Sequence, residues 1–436
     1  MDNPTPPARK PAAILGVVFL TVLLDLVGFG IVIPLLPLMA KEFGAPGWMA
    51  GAIMGVYSLM QFVFSPMWGR WSDRIGRRPL MLFGTGGVAV SYVVFAIGGG
   101  LSGHTALAVF FVARALAGFC GANIGVAQAA IADVTPPEKR SKRMALIGMA
   151  FGLGFIIGPF LGGVSMHHFG LAGPGWVAAS FCAVNFVAAF FLLPETRKPG
   201  QGAAAQRPRF AQWGVTLGHP QIGLLIVVFF LATFSFAAFE STLGLLVADR
   251  FNLDFKGRDA STIANLFAFS GIIGVLAQGG LIGRLVKALG EPKVIALSLA
   301  LVGISMAPLP FIHPAGSWPL AAGAGSWAWI VALAPLLAWL SVLSIGSSLA
   351  RPPVFGLISR LTSADEQGAT LGVAQSAGSL ARILGPVFAL GLFTWHPSWP
   401  YLICSTLALL NAAIILLRLA PRVPPPPVHP EGTRRA

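Results

Sequence analysis

Charge is scarce in this sequence, and acidic charge is the scarcest. Charged side chains make up 10 % of the 436 residues, with 15 acidic against 29 basic residues. Soluble domains carry roughly 25 % charged residues. Apolar residues reach 56 %, more than a soluble fold of this length could remove from water. The composition therefore excludes an ordinary soluble domain and indicates a protein of the lipid bilayer.

Cysteine is equally rare, with three residues at Cys120, Cys182 and Cys404. All three lie in apolar runs, and none belongs to a CxxC or Cys/His pattern. The spacing therefore excludes a disulfide framework and a zinc site, and we expect buried cysteines that pack as small apolar residues.

The sequence also lacks the motifs of an ATP-driven or catalytic protein. It contains no GxxxxGK[ST] phosphate loop, so we do not expect this chain to use ATP directly. The nearest candidate for a catalytic cluster is His167-His168, which has no acidic partner nearby in sequence. These absences argue against an ATP-driven protein and against an enzyme, and we expect no cofactor and no bound metal.

Long apolar runs are what the sequence has instead. A spanning helix needs ~20 mostly apolar residues. The runs that qualify are 13–39, 47–69, 79–100, 105–132, 143–166, 172–194, 221–248, 261–284, 292–312, 326–350, 368–393 and 397–420. The first run follows Arg9-Lys10 but is too long for the apolar part of a signal peptide. We therefore predict twelve spanning helices, numbered spans 1 to 12.

The basic residues predict how the chain is oriented. With the N-terminus in the cytoplasm, only Lys41, Arg250, Lys256 and Arg258 fall outside, and Arg114 and Arg382 lie within the membrane. The remaining 23 of the 29 cations, Arg351 among them, are then cytoplasmic. Cytoplasmic loops favour Lys and Arg. This places both termini in the cytoplasm and explains the net charge of +14 without a nucleic-acid partner.

A polar stretch divides the chain into two halves. Residues 195–220 are rich in Gly, Ala, Arg and Pro and are expected to form a flexible cytoplasmic linker. Gly158-Pro159 in span 5 has a counterpart at Gly385-Pro386 in span 11. We predict an all-α fold of two pseudo-symmetric six-helix bundles, the plan of many transporters. The divisions are an N-terminal tail 1–12, bundles 13–194 and 221–420, the linker between them, and a disordered cytoplasmic tail 421–436.

Four charged residues fall at membrane depth: Asp25, Arg114, Glu240 and Arg382. Each costs ~2.5–3.5 kcal/mol at a helix centre on insertion scales, so such residues face an interior cavity and have a use. Asp25 shares a face of span 1 with Thr21 and Gly28. A carboxyl group there can carry a proton, and the alternative is a fixed ion pair with an arginine. Arg114 either assists proton exchange at Asp25 or is its structural partner.

Other polar residues of the spans are candidates for a substrate cavity. Glu240 either binds substrate or a proton, or is a wetted residue near the outer end of span 7. Arg382 either binds an anionic group of the substrate or stabilises the second half of the protein. Further cavity candidates are Tyr57 and Gln61 in span 2, Gln128 in span 4 and Gln375 in span 11.

The turn after span 2 reads GRWSDRIGRR and predicts a cytoplasmic gate. Its candidate residues are Gly69, Asp73, Arg74, Gly76, Arg77 and Arg78. The glycines suit a tight reversal, and a carboxylate can lie against a helix N-terminus. A plain cytoplasmic loop would need the arginines but not the embedded acid.

Span 5 carries glycines at every fourth residue. Gly154, Gly158 and Gly162, followed by Gly163, predict a groove for close packing of another helix. Pro159 removes a backbone hydrogen bond and can bend the helix, so the segment is a candidate hinge.

These motifs together resemble the major facilitator superfamily, and within it the drug:proton antiporter branch that includes tetracycline exporters. The turn GRWSDRIGRR looks like the family's loop signature between spans 2 and 3. Arg114 with Gly118 looks like its span-4 signature, and the glycines with Gly158-Pro159 look like the antiporter signature of span 5. Asp25, in LLDLVGFGIVIPLLP, is similar to the span-1 acid of tetracycline-type exporters. The resemblance covers nearly the whole chain.

The resemblance implies roles that the residues alone do not. Asp73 would help close the cytoplasmic side by contacting the start of span 11. Asp25 and Arg114 would couple proton entry to substrate exit, and span 5 would let the bundles rock. One departure is that the loop after span 8, GGLIGRLVKALG, has no acid matching Asp73. A gate at that loop would act without the carboxylate.

The sequence therefore predicts a monomeric secondary transporter in the cell membrane. It would export a small drug-like or tetracycline-like molecule in exchange for protons by alternating access. The alternative on the same fold is a proton symporter or facilitator for a small metabolite.

Overall fold

The computed structural model describes residues 11–135, 137–197, 209–253, 258–313, 326–362 and 366–419. Most of the predicted N-terminal tail, the middle of the linker and the predicted tail 421–436 lie outside these residues. The α-helices are α1 Pro11–Val32, α2 Leu36–Glu42, α3 Gly47–Ile75, α4 Arg77–Gly99, α5 Gly103–Cys120, α6 Asn123–Asp133, α7 Pro137–Phe169, α8 Gly173–Leu192, α9 Arg209–Gly218, α10 Pro220–Arg250, α11 Arg258–Gly280, α12 Ile282–Leu289, α13 Glu291–Met306, α14 Ser326–Leu361, α15 Gln367–Phe393 and α16 Trp399–Ile414.

Ten helical stretches of the described chain are long and apolar enough to cross a membrane. An eleventh is a pair of helices, Asn265–Gly280 and Ile282–Leu289, bent by 49° at their junction. One of the ten, Gly152–Leu192, has 41 residues. At 1.5 Å per residue it would be about 60 Å long, twice the ~30 Å of the hydrocarbon core.

That long stretch contains two helices that run in opposite directions. Gly154 of α7 packs on Leu26 of α1, and Gly158 packs on Gly30, so α7 runs parallel to α1. Along α8 the order is reversed, because Cys182 meets Gly28 and Asn185 meets Thr21. The stretch Gly152–Leu192 therefore contains two antiparallel helices, and the total of twelve spans stays a prediction.

The structure differs from the predicted elements at several places. Span 1 divides into α1 and α2 at residues 33–35, and span 4 divides into α5 and α6 at residues 121–122. The predicted flexible linker is helical in its second half, where α9 occupies residues 209–218. The buried Gln212 and Thr216 are hydrogen-bonded to each other at 3.2 Å within it. Buried side chains of α9 therefore hold this part of the linker against the bundle.

The glycines of α7 let it approach α1 at backbone contact, as predicted. A Cβ atom on Gly158 would lie 2.6 Å from Cα of Gly30, and one on Gly154 would lie 2.8 Å from Cβ of Leu26. Gly162 continues the same side of the helix and packs on Ile31, and the adjacent Gly163 is also buried but points in another direction. The helix runs through Pro159 from Pro137 to Phe169 without interruption.

The two halves of the protein meet at one end and separate at the other. We call the end that carries the turn at Gly76 and the helix α9 the inner end, and the opposite end the outer end. At the outer end one apolar cluster takes residues from both halves, among them Leu38, Leu243 and Leu390. At the inner end each half has an apolar cluster of its own.

The surroundings of glycines in α3 and α15 differ in the same way between the outer and inner ends of the protein. At the outer end, a Cβ atom on Gly51 of α3 would lie 2.6 Å from Cα of Val387 on α15. Toward the inner end, Cβ atoms on Gly69 of α3 and Gly372 of α15 would meet nothing within 4 Å in the described chain. The bundle is therefore closed at its outer end and open toward its inner end.

Candidate functional site

A buried arginine lies at the centre of the fold. Arg114 of α5 is 1 % exposed. The carbon of its guanidinium lies 4.3 Å from the ring centroid of Tyr57 and 5.4 Å from that of Phe29. None of its three side-chain nitrogens has a hydrogen-bond partner in the described part of the chain. Aromatic faces attract a cation, but they leave the N–H donors of this one unsatisfied.

Three charged residues of the second half belong to the same electrostatic cluster. Glu240 of α10 interacts with both Arg114 and Arg382, and Arg382 interacts with Arg351 of α14. Arg382 Nη2 donates a hydrogen bond to Ser379 Oγ at 3.3 Å. We call Arg114, Glu240, Arg351 and Arg382 the central cluster. The structure thus brings together Arg114, Glu240 and Arg382, which the sequence nominated separately.

Arg351 was assigned wrongly to a cytoplasmic loop. Span 10 was predicted to end at residue 350, but α14 continues through Pro352 and Pro353 to Leu361. Arg351 therefore lies inside the helix. Its Nη2 donates to Gln375 Oε1 at 3.3 Å, and its guanidinium packs over the ring of Phe355 at 5.6 Å. Gln375, a predicted cavity residue, thus joins the cluster through Arg351.

Asp25 lies in a separate polar pocket inside the first half. The buried Asn185 of α8 donates one hydrogen bond to Asp25 Oδ1 at 2.9 Å and another to the carbonyl of Thr21 at 3.0 Å. A cavity of about 20 Å³ adjoins the carboxyl group and is also lined by Tyr57, Tyr92 and Asn123. The side-chain oxygen of Asn123 is buried and has no hydrogen-bond partner in the described chain. The carboxyl group therefore faces the protein interior and not the lipid.

The structure does not pair Asp25 with Arg114. Among the described residues Asp25 is held by an amide and Arg114 by aromatic rings, and no ion pair joins them. Tyr57 connects the two regions, because its ring lies against Arg114 and also lines the cavity beside Asp25. The fixed ion pair that the sequence left open as an alternative is therefore absent from this conformation.

The two asparagines were not nominated from sequence. Each is an isolated amide in an otherwise apolar span, at 123 and 185. An isolated buried amide needs hydrogen-bond partners, and that requirement was the available signal. Their positions depend on how α6 and α8 pack against α1, which the sequence pattern does not give.

The remaining cavity candidates have mixed positions. Gln61 Nε2 donates to the Tyr57 hydroxyl at 2.9 Å and to the carbonyl of Gly121 at 3.0 Å. It thereby ties α3 to the break between α5 and α6 and holds the tyrosine in place. Gln128 lies half-buried on α6, beyond the break, and no described contact joins it to the central cluster.

An ion-pair network lies at the inner end of the first half. Asp73 Oδ1 accepts from Arg77 at 2.8 Å and from Arg197 at 2.9 Å, and Arg77 Nε also pairs with Asp133 at 3.0 Å. The carboxylate of Glu195 accepts hydrogen bonds from the backbone N–H groups of Arg77 and Arg78 at 2.9 and 3.1 Å. A carboxylate is stabilised at a helix N-terminus. The first residues of the linker are thereby attached to the first half.

The residues of the predicted gate have different surroundings. Gly76 has φ of 103°, a backbone conformation that favours glycine, between α3 and α4. Arg78 donates from its side chain to the carbonyl of Phe190 at 2.7 Å, whereas Arg74 is exposed. The resemblance implied that Asp73 contacts the start of span 11. In this conformation its ion-pair partners in the described chain come from α3–α4 and the linker, as expected where the inner end is open.

The second half has an ion pair at the matching position with the charges reversed. Gly290 precedes α13 with φ of 80°, as Gly76 precedes α4. The first residue of α13, Glu291, pairs with Arg360 near the end of α14 at 2.8 Å. In the first half the arginine begins α4 and the acid ends α6. The loop after span 8 lacks a match for Asp73, but a carboxylate follows it directly.

Replacing Asp73 tests whether the network holds the linker. In Asp73→Asn, Arg197 loses its carboxylate partner, so the start of the linker should leave the bundle more often. We expect trypsin to cleave the linker of the native protein several times faster in Asp73→Asn than in wild type. The exposed Arg74, changed to Gln, is the matched control and should leave the cleavage rate unchanged. Equal rates in all three proteins would contradict this role.

Comparison with known proteins places these features in a family. A family model described as Major Facilitator Superfamily matches residues 18–334 and 316–436. The chain is 30 % identical to the class E tetracycline resistance protein of Escherichia coli, over 91 % of this chain and 92 % of that one. It is 27 % identical to multidrug resistance protein 2 of Bacillus subtilis, over 89 % and 91 %.

A solved structure is similar over almost the whole chain. The crystal structure of the human organic anion transporter MFSD10 is 25 % identical and has a TM-score of 0.67, covering 94 % of this chain and all of that one. These relatives are transporters and not enzymes. On the evidence of the family match and the shared helical fold, the chain belongs to the Major Facilitator Superfamily and is a multi-pass membrane transporter.

Proposed function

We propose that this protein exports a small organic molecule across the cell membrane in exchange for protons, by alternating access. The observation that carries the proposal is the position of Asp25. Its carboxyl group lies in a polar pocket inside the first half, beside a cavity of about 20 Å³. A cavity of that size admits one water molecule, which would be in position to exchange a proton with the carboxyl group.

Separate places for proton and substrate suit an exchanger. Asp25 belongs to the pocket with Asn185, while the central cluster lies between the two halves. Tyr57 borders both, since its ring packs on Arg114 at 4.3 Å and lines the cavity. A substrate that engages Arg114 would move Tyr57 and thereby change the hydration of Asp25. Coupling would then pass through one tyrosine and needs no direct contact between substrate and carboxylate.

This conformation would be one of the two end states that an alternating-access cycle requires. The outer end is closed by α3 against α15, and the inner end is open. With the inner end in the cytoplasm, as the basic residues predict, this is the form that takes up substrate from the cell. Outward release would require separation of α3 from α15 and closure of the inner end. Asp73 would then exchange partners toward α15.

The driving force is sufficient for export. One charge that moves through 100 mV yields about 2.3 kcal/mol. Because about 1.4 kcal/mol corresponds to a factor of ten, exchange of one proton for a neutral molecule could hold a gradient of about 50-fold. The names of the bacterial relatives, which are resistance proteins for tetracycline and several drugs, support the outward direction. We propose cytoplasmic termini and a monomer, with no cofactor beyond the proton gradient.

Transport in reconstituted vesicles tests the proposal. Tetracycline is the first compound to try, followed by a panel of drugs in a host without its own exporters. An imposed proton gradient should drive the compound against its own gradient, in the direction opposite to the protons. Movement in the same direction as the protons would identify a symporter, and movement unaffected by the gradient would identify a facilitator. Either result would overturn the proposal of exchange.

A further inference from the structure

We propose that the central cluster binds organic anions, namely aromatic molecules that carry a carboxylate or a similar acidic group. This inference rests on the proposed function and names the class of molecule that the exporter carries. Its basis is an excess of positive charge in the cluster and the lack of hydrogen-bond partners for Arg114 among the described residues.

Arginine outnumbers acid in the cluster. Among the described residues it contains Arg114, Arg351 and Arg382 and one carboxylate, that of Glu240. Arg351 has contacts of its own with Gln375 and Phe355, so the balance is taken over Arg114, Arg382 and Glu240. Even when Glu240 is ionised, one positive charge is in excess, and protonation of Glu240 raises the excess to two. Arginine stays protonated at any relevant pH, so the protein cannot remove this excess by releasing protons. A site with permanent positive charge favours an anionic guest and disfavours a cationic one.

The hydrogen bonds of Arg114 point to the same class. Its guanidinium is 1 % exposed, and none of its nitrogens has a partner in the described chain. Burying polar groups without partners is costly. A carboxylate has the geometry that satisfies two guanidinium donors at once, whereas an amine or ammonium group of a substrate could not accept from them. A carboxylate is therefore the partner that the hydrogen-bond donors and the charge of Arg114 both favour.

The surroundings favour an aromatic body for the anion. Phe29 and Tyr57 lie over Arg114, and Phe155 packs edge-on to Phe29 with ring centroids 6.0 Å apart. These rings provide flat apolar surface next to the guanidinium. A planar aromatic molecule with one acidic group would place its ring on that surface and its charge on the arginines.

Two dyes with one ring skeleton and opposite charge test the inference. Fluorescein carries negative charge as a carboxylate and a phenolate, and a rhodamine methyl ester carries a single positive charge. We expect the purified full-length protein in detergent to bind fluorescein at least ten times more tightly than the rhodamine ester, by equilibrium dialysis. Thermal stabilisation should follow the same order. Tighter or equal binding of the rhodamine ester, or no binding of fluorescein, would overturn the inference.

Variants of the central cluster test whether its arginines cause the preference for fluorescein. Arg382→Gln and Arg114→Gln should each weaken fluorescein binding at least ten-fold and leave binding of the rhodamine ester unchanged or stronger. Arg382→Lys keeps the charge and should restore part of the affinity. Arg418→Gln, at the exposed end of the last helix, is the matched control and should bind both dyes as wild type does. An unchanged fluorescein affinity in Arg382→Gln and Arg114→Gln would contradict the assignment to these residues.

The dye comparison is independent of proton coupling. Binding in detergent involves no gradient, so a preference for the rhodamine ester would reject the anion class and leave proton-driven export of tetracycline untouched. Conversely, export that ignores the proton gradient would reject exchange without altering the measured preference for fluorescein.

Discussion

An Asp25→Asn variant is expected to lose export against a gradient while keeping its fold. The asparagine side chain has the shape of aspartate, and its oxygen can still accept the hydrogen bond that Asn185 donates at 2.9 Å. It cannot carry a proton. Without coupling, an imposed 100 mV no longer contributes about 2.3 kcal/mol. For a compound without net charge, the accumulation ratio in vesicles should therefore fall from about 50-fold toward one.

The same vesicles supply the internal comparison for this variant. Exchange of labelled for unlabelled compound needs no net proton movement, so Asp25→Asn should still catalyse it. Asp249→Asn, at an exposed acid near the outer end of α10, is the matched control and should accumulate compound as wild type does. If Asp25→Asn still accumulated compound to the wild-type level, Asp25 would not be the proton carrier.

Gly51→Val is expected to abolish transport by preventing closure of the outer end. A Cβ atom at this position would lie 2.6 Å from Cα of Val387 and 2.8 Å from the carbonyl oxygen of Pro386. Backbone atoms of α15 cannot move aside as a flexible side chain could, so α3 and α15 must separate. The conformation that is open at the inner end would become rare, and we expect the transport rate to fall at least 100-fold.

Labelling of a buried position can separate this effect from misfolding. Met54 lies on the same helix as Gly51 and is 5 % exposed. It is changed to cysteine in the otherwise wild-type protein and in Gly51→Val. The three native cysteines are buried. A membrane-impermeant maleimide added at the outer side should label Met54→Cys faster when Gly51→Val is present. Gly391→Val is the matched control on α15, because a Cβ there meets nothing within 4 Å. Wild-type transport by Gly51→Val would show that this contact does not close the outer end.

The helices and their division into two halves followed from the sequence because the bilayer constrains both. Runs of apolar residues must be helical in lipid, where each backbone group needs an internal partner. The errors occurred where a local signal misled. Span 10 was predicted to end at residue 350, but α14 continues through Pro352 and Pro353 and places Arg351 against Gln375. Composition indicated a flexible linker where α9 forms.

The charged residues of the site could be predicted from the sequence, but their contacts with one another could not. The cost of a charge in lipid singled out Asp25, Arg114, Glu240 and Arg382. Which of these lie together depends on the rotation and tilt of each helix, and the sequence pattern does not determine them. Arg114 was nominated either as a coupling residue or as a structural partner for Asp25. In this conformation no ion pair joins the two in the described chain, and the arginine lies under Tyr57 with Glu240 and Arg382 in its electrostatic surroundings.

The reversed ion pairs illustrate a second limit. The start of α4 forms an ion pair with the end of α6, and the start of α13 forms one with the end of α14. The two ion pairs therefore lie at equivalent positions in the two halves. Because the charges are exchanged, a search for a second copy of the Asp73 motif could not find the pair. The two halves have an ion pair at the same place in the fold, but the acidic and basic residues are exchanged. The correspondence is visible only in the contacts of the structure.

Proton release on substrate binding tests the central claim most directly. The purified protein, weakly buffered near neutral pH with an indicator dye, is mixed with the compound that the export screen identifies. Exchange at Asp25 predicts that wild type releases up to one proton per bound molecule and that Asp25→Asn, at a concentration of compound that saturates it, releases none. Equal release from both proteins, or binding to wild type with no release at any pH, would contradict the account.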